Sequence, residues 1–576
     1  MMAEVEIQTE RIDDLPLLIA QQQRMGLPDI IDAVIEPHGN RQGLSVGWTV
    51  ATWLSFIVSE GDHRLSFVER WAAERMSSLQ ALLPGEVTAS DFTDDRLGDV
   101  LRYLSDDVTW DKIERQVGQH VVRVYALPQE RVRLDSTSVA VYHDPVQSSL
   151  FAYGLSKDHR PDLAQLKVML GALDPLGLPL ATLVVAGHRA DDGLYLPAWQ
   201  QVRAVLGQSG LLYIGDSKME ALVIRATLAA EGDTYLTPLS LKGQQEALLA
   251  ELLASVWQKK QELTEVYGPS SDEAPAVLLA QGYETTRPQS ALVKDQLVEW
   301  QERVLVIYSP SLVKPAQQGL ADRLHRAEEK LRALTPPPGR GKQQWTELAP
   351  LQAEVAAILA HHRVKEFLQV TYQRHETQRQ RRKYKDRPAR VEVKVRYELK
   401  VTRQEATLEQ AQQRLGWRLY VTNADPAQLS LEEAVSAYRS SPYVERDFSR
   451  LKGRPLGLPP LYLKREDPTR GLVRLLTLAL RLLTLVEFVV HRNLQVQLDS
   501  LAGLYPGNPT QTTARPTTER LLHAFQNVTL TIVRTPHQTI KHVTPLSALQ
   551  IRILSLLDLP TSIYTNLAVA SVPIPP

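Results

Sequence analysis

The sequence predicts a mixed chain built round one α/β unit, preceded by an all-α segment and divided by a large α+β insertion. Three observations carry that prediction. Over residues 1–128 apolar residues recur at helical spacing and strand-like alternation is scarce. At Arg131 the texture changes to short β-branched runs separated by turn residues, giving the order β-β-β-α-β-α-β across 129–240. Polar helical stretches and strand-like pieces then mix over 241–425, and helices return over 426–500 and 501–576.

In the first segment, Leu15–Ile19, Trp48–Ile57, Leu65–Trp71 and Leu97–Leu104 are the apolar stripes of helices. The opening MMAEVEIQTERIDDLP has no basic stretch followed by an apolar one, so it does not read as a signal peptide. RVRLDSTSVAVYH, from Arg131, reads as the first strand, and a polar loop spans Tyr153–Asp162. A second strand runs from Leu163, and Asp174-Pro-Leu-Gly177 supplies turn chemistry before a third strand from Leu178. A helix at Tyr195–Val205 leads to the continuous apolar strand Leu211–Gly215, the kind buried on both faces. A further helix from about Glu220 and a strand from Thr234 complete the unit.

In the insertion, Leu312–Leu334 and Gln344–Lys383 flank the breaker Pro336-Pro337-Pro338-Gly339 and predict a helical hairpin. Strand-like pieces lie at Glu299–Tyr308, Arg390–Thr402 and Trp417–Thr422. Helices are expected at Ser430–Tyr438, Pro442–Leu451 and Gly471–Leu498. The last is the greasiest stretch, but Arg474, Arg481 and Glu487 inside it argue for a buried core helix and against a membrane span. The absence of cysteine among 576 residues excludes disulfides and Cys-ligated zinc, and fits a reducing, cytoplasmic compartment. A net charge of −1 leaves nucleic-acid affinity to local patches.

Two aspartates stand out. Asp135 sits within an apolar strand and Asp216 ends another, where a desolvated carboxylate needs a partner such as a divalent cation. Taken singly, each also suits a turn or cap. Downstream, Tyr438, Glu445 and Lys452 fall at steps of seven, nearly one face of a continuous helix. Pro442 fits best as a first helical residue after Ser441, which moves Tyr438 to a preceding helix. Arg374–Arg396 holds ten Lys/Arg against three acids, a net of +7 that suits a phosphate backbone or, equally, a solvated face. Gly43-Leu-Ser-Val-Gly47 matches a nucleophile-elbow pattern but follows polar residues and begins a helix, so it is discarded.

Through LDSTS at Leu134–Ser138, SKDHRPDLAQ at Ser156–Gln165, YIGDSKM at Tyr213–Met219, LYVTN at Leu419–Asn423 and Tyr438…Glu445…Lys452, the sequence resembles DDE transposases of prokaryotic insertion sequences, in the branch with a Tyr-Arg-Glu-Lys signature. The resemblance implies an RNase H-like catalytic core, with Asp135, Asp216 and Glu445 as catalytic residues and ligands of Mg²⁺ or Mn²⁺. It implies double-stranded DNA as partner, both terminal inverted repeats and target, with cleavage followed by strand transfer. Tyr438, Arg439, Lys452, Trp417, Lys157, His159, Arg160, Arg379, Arg381 and Arg382 are the expected DNA contacts. The signature arginine falls on Ser441, with Arg439 or Arg446 as candidates for its role. Residues 1–128 are expected to bind the transposon end, and a homodimer on DNA to hold two ends. The competing readings are a nuclease on the same fold that cuts without joining, and a DNA-binding protein without catalysis.

Overall fold

A computed structural model of the chain describes all residues except 1–4, 37–38, 40–41, 143, 146–147, 269–275, 340–341, 343, 382–389, 440–441, 462 and 569–576. It is a mixed α/β protein with a large mixed sheet. The chain divides into two compact units, the first formed by 1–238, 286–303 and 421–576, the second by 239–285 and 304–420.

The first unit begins with β1 (Glu6–Arg11), then helices up to Asp107–Tyr125. The expectation of an all-α segment fails at β1, whose partner is the strand Thr529–Arg534, in register from Glu6↔Arg534 to Arg11↔Thr529. A second hairpin strand, Thr539–Val543, completes this three-stranded sheet. The region beyond 501 is therefore not purely helical either. EIQTER is mostly polar and exposed, so it carries no local strand signal, and its partner lies some 500 residues away in sequence.

The α/β unit follows as β2 (Arg131–Ala140), β3 (Gln165–Leu173), β4 (Leu178–Ala186), the helix Tyr195–Leu206, β5 (Leu212–Gly215), the helix Leu222–Ala230 and β6 (Thr234–Pro238). Strand order within this part of the sheet is β4-β3-β2-β5-β6. β2, β3 and β4 form an antiparallel meander, whereas β5 runs parallel to both β2 and β6. β3 and β5 are buried at every position, which is why both read as near-continuous apolar runs.

The long helix Glu466–Val496 is the core of this unit, and its charges are individually matched. Arg474 donates to the carbonyls of Leu104 and Ser105 and pairs with Asp107, while Arg481 pairs with Glu114 at 2.8 Å. No helix among the described residues is long and apolar enough to cross a membrane.

In the second unit the helical hairpin forms from Pro310–Leu334 and Leu348–His362, packed through Leu320, Leu324, Leu331, Leu351 and Val355. The second arm is much shorter than its expected Gln344–Lys383. It ends at Arg363, left-handed at φ 53°, and the chain enters the strand Leu368–Arg381, paired along its length with Arg390–Arg403. The apolar residues of LQVTYQ alternate with polar ones, a period of two that the polar, helix-compatible composition conceals. The described parts of the basic segment, Arg374–Arg381 and Arg390–Arg396, are thus paired antiparallel strands, where the first was expected to continue a helix.

Candidate active site

The site is built where β2 and β5 run side by side in parallel, with Leu134 opposite Gly215. The residues that follow, Asp135 and Asp216, are therefore brought together at neighbouring positions of two adjacent strands. Burial pushes the Asp135 carboxyl above its ordinary value; Lys157 and the Ser136 N–H oppose this, and the charge of Asp216 reinforces it. Asp216 accepts hydrogen bonds at Oδ1 from the Tyr195 hydroxyl (2.6 Å) and from the Lys218 N–H (2.8 Å). Burial, reinforced by Asp216, raises the Tyr195 phenol well above its ordinary value, so it stays a donor.

Glu445 lies in the first turn of the helix Pro442–Lys452, with Pro442 as its first residue and Tyr438 on the preceding helix Leu431–Arg439. Ser441 lies outside the described residues. Asp135 and Glu445 face a common cleft of about 560 Å³, lined also by Lys157, Phe448 and Lys452. Among the described residues no three His, Asp or Glu side chains are drawn together closely enough to hold a metal ion. The structure thus brings Asp135 beside Asp216 and into one cleft with Glu445, without a closed ligand set.

Two lysines close this cleft. Lys157 Nζ lies 3.4 Å from Asp135 Oδ1 and 3.8 Å from Asp191 Oδ2, and donates to the Ser136 carbonyl at 2.5 Å. Lys452 Nζ donates to Asp158 Oδ1 at 2.6 Å. Adjacent residues of one loop therefore pair with β2 on one side and with the Glu445 helix on the other. His159, at φ 57°, is exposed in that loop, and Arg160 pairs with Asp162 at 2.8 Å.

The Glu445 helix and the helix before it are held by charges of which only Arg446 and Glu487 stood out in the sequence. Arg133, buried on β2, reaches Asp174 (3.2 Å) and donates to the Ala437 carbonyl near the end of the preceding helix. Arg450 bridges Glu487 (2.6 Å) and Glu519 (2.8 Å), and Arg446 pairs with Glu487 as well. Arg133 lies two residues before Asp135, on the same face of a strand; that charge in an apolar run was the available signal. Nothing local marks Tyr195 as the partner of Asp216.

The remaining expected contacts fall elsewhere. Tyr438 and Arg439 are half-buried. Trp417 is a core residue of the second unit, 6 % exposed, with its ring 5.2 Å from that of Tyr308. This is the ordinary packing role and leaves no free ring face advertised for a base. Arg379 and Arg381 are exposed on the hairpin, Arg381 paired with Glu392 at 2.8 Å, and Arg382 lies outside the described residues.

Residues 7–110 match a family model described as a domain of unknown function, DUF4277. The matched stretch holds β1 and the helices through Asp94–Ser105, and stops short of the carboxylates. No curated protein matches the chain. A cryo-EM structure of a piggyBac transposase synaptic complex with hairpin DNA is similar over 52 % of this chain, at 10 % identity and a TM-score of 0.22. The similarity spans 60 % of that transposase chain.

Proposed function

We propose that this protein is a metal-dependent DNA strand transferase, an insertion-sequence transposase with an RNase H-like core. The observation that carries the reading is the adjacency of Asp135 and Asp216 on parallel strands, with Glu445 facing Asp135 across one cleft. The motif resemblance points to the same three residues. Carboxylate oxygens are the donors that Mg²⁺ or Mn²⁺ takes, and the Lys157 ammonium beside Asp135 marks that carboxylate as a place for positive charge. Asp135, Asp216 and Glu445 would hold the ion. When bound, it would polarise a scissile phosphodiester and favour a hydroxyl nucleophile.

The chain's own residues have separable tasks. Tyr195 orients Asp216 through its hydroxyl. Arg446 and Arg450 fix the helix that carries Glu445, and Arg133 holds the end of the helix before it. Lys157 and Lys452, released from Asp135 and Asp158, would pair with phosphates of the strand entering the cleft. In the second unit the exposed basic hairpin would track the backbone of double-stranded DNA. We further assign residues 1–128 to recognition of the transposon end, and a two-fold dimer on DNA to the pairing of two ends.

The test incubates the full chain with a labelled duplex carrying the inverted repeats that flank its gene, a target plasmid and Mg²⁺. Joined products, lost in Asp135→Asn, Asp216→Asn and Glu445→Gln, are the expected result. Cleavage without joining would replace the reading with a nuclease on the same fold. DNA binding without metal-dependent cleavage would leave a DNA-binding protein.

A further inference from the structure

On the far side of the Glu445 helix lies a second cavity, of about 1030 Å³, bounded by that helix, the long helix Glu466–Val496 and the segment after it. The volume is at the upper end of ordinary ligand sites, roughly 300–1,000 Å³. At 100° per residue, Tyr443 and Arg446 sit roughly 100–160° round the helix from Glu445, so this cavity and the carboxylate cleft are separate.

Its walls are specific in three ways. Two arginine–aromatic pairs face it: the Arg446 guanidinium 5.6 Å from the Tyr443 ring centre, and that of Arg492 5.2 Å from the Phe488 ring centre. Thr484 lines it, is 2 % exposed, and its hydroxyl has no hydrogen-bond partner among the described residues, an unusual state for a buried polar group. The lining acids are already engaged, Glu487 by Arg446 and Arg450, and Asp499 by Arg552 at 2.7 Å. Arg492 and Arg515 have no carboxylate within ion-pair reach among the described residues; Arg492 donates from one Nη to the Tyr125 carbonyl at 2.8 Å and keeps its other N–H groups, and Arg515 is exposed at the rim. Net positive charge with planar π and guanidinium surfaces converges on one space.

From this we infer that the cavity binds a nucleotide: an aromatic base between the arginine–aromatic pairs and a phosphate on Arg515 and Arg492. Guanidinium planes and aromatic faces both stack on bases, and arginine matches phosphate in a bidentate manner. The source is either a free nucleotide or one nucleotide of a DNA strand. The inference does not rest on the metal reading of the carboxylate cleft.

The experiment uses the full chain in EDTA, so that metal-dependent chemistry is silent. Adenosine 5′-monophosphate is titrated by calorimetry, and a single-stranded dodecamer containing 2-aminopurine by fluorescence. Binding of at least one probe is expected, weakened about tenfold or more by Arg515→Ala and by Phe488→Ala and unchanged in Asp135→Asn. Arg515 is exposed, so its replacement reports on binding and not on folding. Adenosine and inorganic phosphate alone should each bind about tenfold more weakly than the monophosphate. Fluorescence quenching that the monophosphate reverses assigns the site to a strand; monophosphate binding without quenching assigns it to the free nucleotide. Absence of binding by both probes, or binding indifferent to both substitutions, overturns the proposal. Loss of strand transfer in Asp135→Asn with nucleotide binding intact keeps the two readings distinguishable.

Discussion

Lys157 and Asp158, neighbours in one loop, reach opposite walls of the cleft: the Lys157 ammonium lies 3.4 Å from Asp135, and Asp158 accepts from Lys452 at 2.6 Å. The loop between β2 and β3 is thereby latched at both sides of the cleft. A cation entering beside Asp135 must compete with Lys157. Lys157→Met should tighten Mn²⁺ binding to the DNA-free chain about two- to fivefold, the worth of a partly exposed ion pair. Titration followed by electron paramagnetic resonance measures this; weakened Mn²⁺ binding would show that Lys157 supports the site and does not compete for it.

Asp135→Asn keeps the shape of the side chain and removes the charge. Cleavage of terminal-repeat DNA should fall by about a thousandfold or more, since the lost ligand is worth several kcal/mol of charge stabilisation. Affinity for the same DNA, read by gel shift, should change little. A variant that still cleaves would remove Asp135 from the chemistry.

Glu487 receives both Arg446 and Arg450 while only 4 % exposed, and so ties the Glu445 helix to the long core helix. Glu487→Ala leaves two guanidinium groups short of their partner. The cost should be about 3–5 kcal/mol, as for other broken buried pairs. Urea unfolding of the variant checks this, and a loss below about 1 kcal/mol would mean that Glu519 alone satisfies Arg450.

Asp14 is buried, and desolvation pushes its carboxyl up to about 7, against the pull of a 2.6 Å hydrogen bond from Ser59. The folded chain keeps this proton up to about pH 7, whereas the unfolded chain loses it near 3.8. Stability from this group is therefore complete below about pH 4 and is lost as pH rises through 7. Asp14→Asn, which cannot ionise, should flatten that slope and leave the fold more stable at pH 8, by an amount on the order of a few kcal/mol. Melting curves at pH 5 and pH 8 compare the two; parallel pH dependence in both proteins would exclude Asp14 as the source.

Arg379 and Arg381 lie on the exposed strand Leu368–Arg381. If the hairpin tracks a phosphate backbone, replacing both with alanine should lower DNA affinity and reduce the salt slope by about 1 for each phosphate that goes unpaired. An unchanged slope would identify a solvated face.

The short-range signals of the sequence were sufficient for β2 through β6 and their helices, because fully buried strands and amphipathic helices are written in the spacing of apolar residues. They were sufficient also for the helix start at Pro442, where proline's fixed φ and missing N–H suit only the first turn. They failed at Leu368–Arg381. Only its first residues, Leu368, Val370 and Tyr372, present an apolar face, too short a run to announce the period of the whole strand, and the partner at Arg390–Arg403 completes it. They failed likewise at β1, whose partner lies at the opposite end of the chain.

The same division runs through the candidate site. Local pattern is enough to put Asp135 and Asp216 in or beside apolar strands, and Glu445 at the start of a helix carrying Lys452 two turns later. Long-range packing makes β2 and β5 parallel neighbours in register, which sets the two aspartates side by side. The same packing sets Lys157 on the flank of Asp135, gives Tyr195 to Asp216, ties Arg133 to the helix before Glu445 and pins the Glu445 helix through Glu487. The reason is physical. Local pattern reports how a residue partitions between core and water, a property of its own few neighbours. Which charge meets which depends on the long-range packing of elements, and a desolvated carboxylate accepts whichever donor that packing delivers.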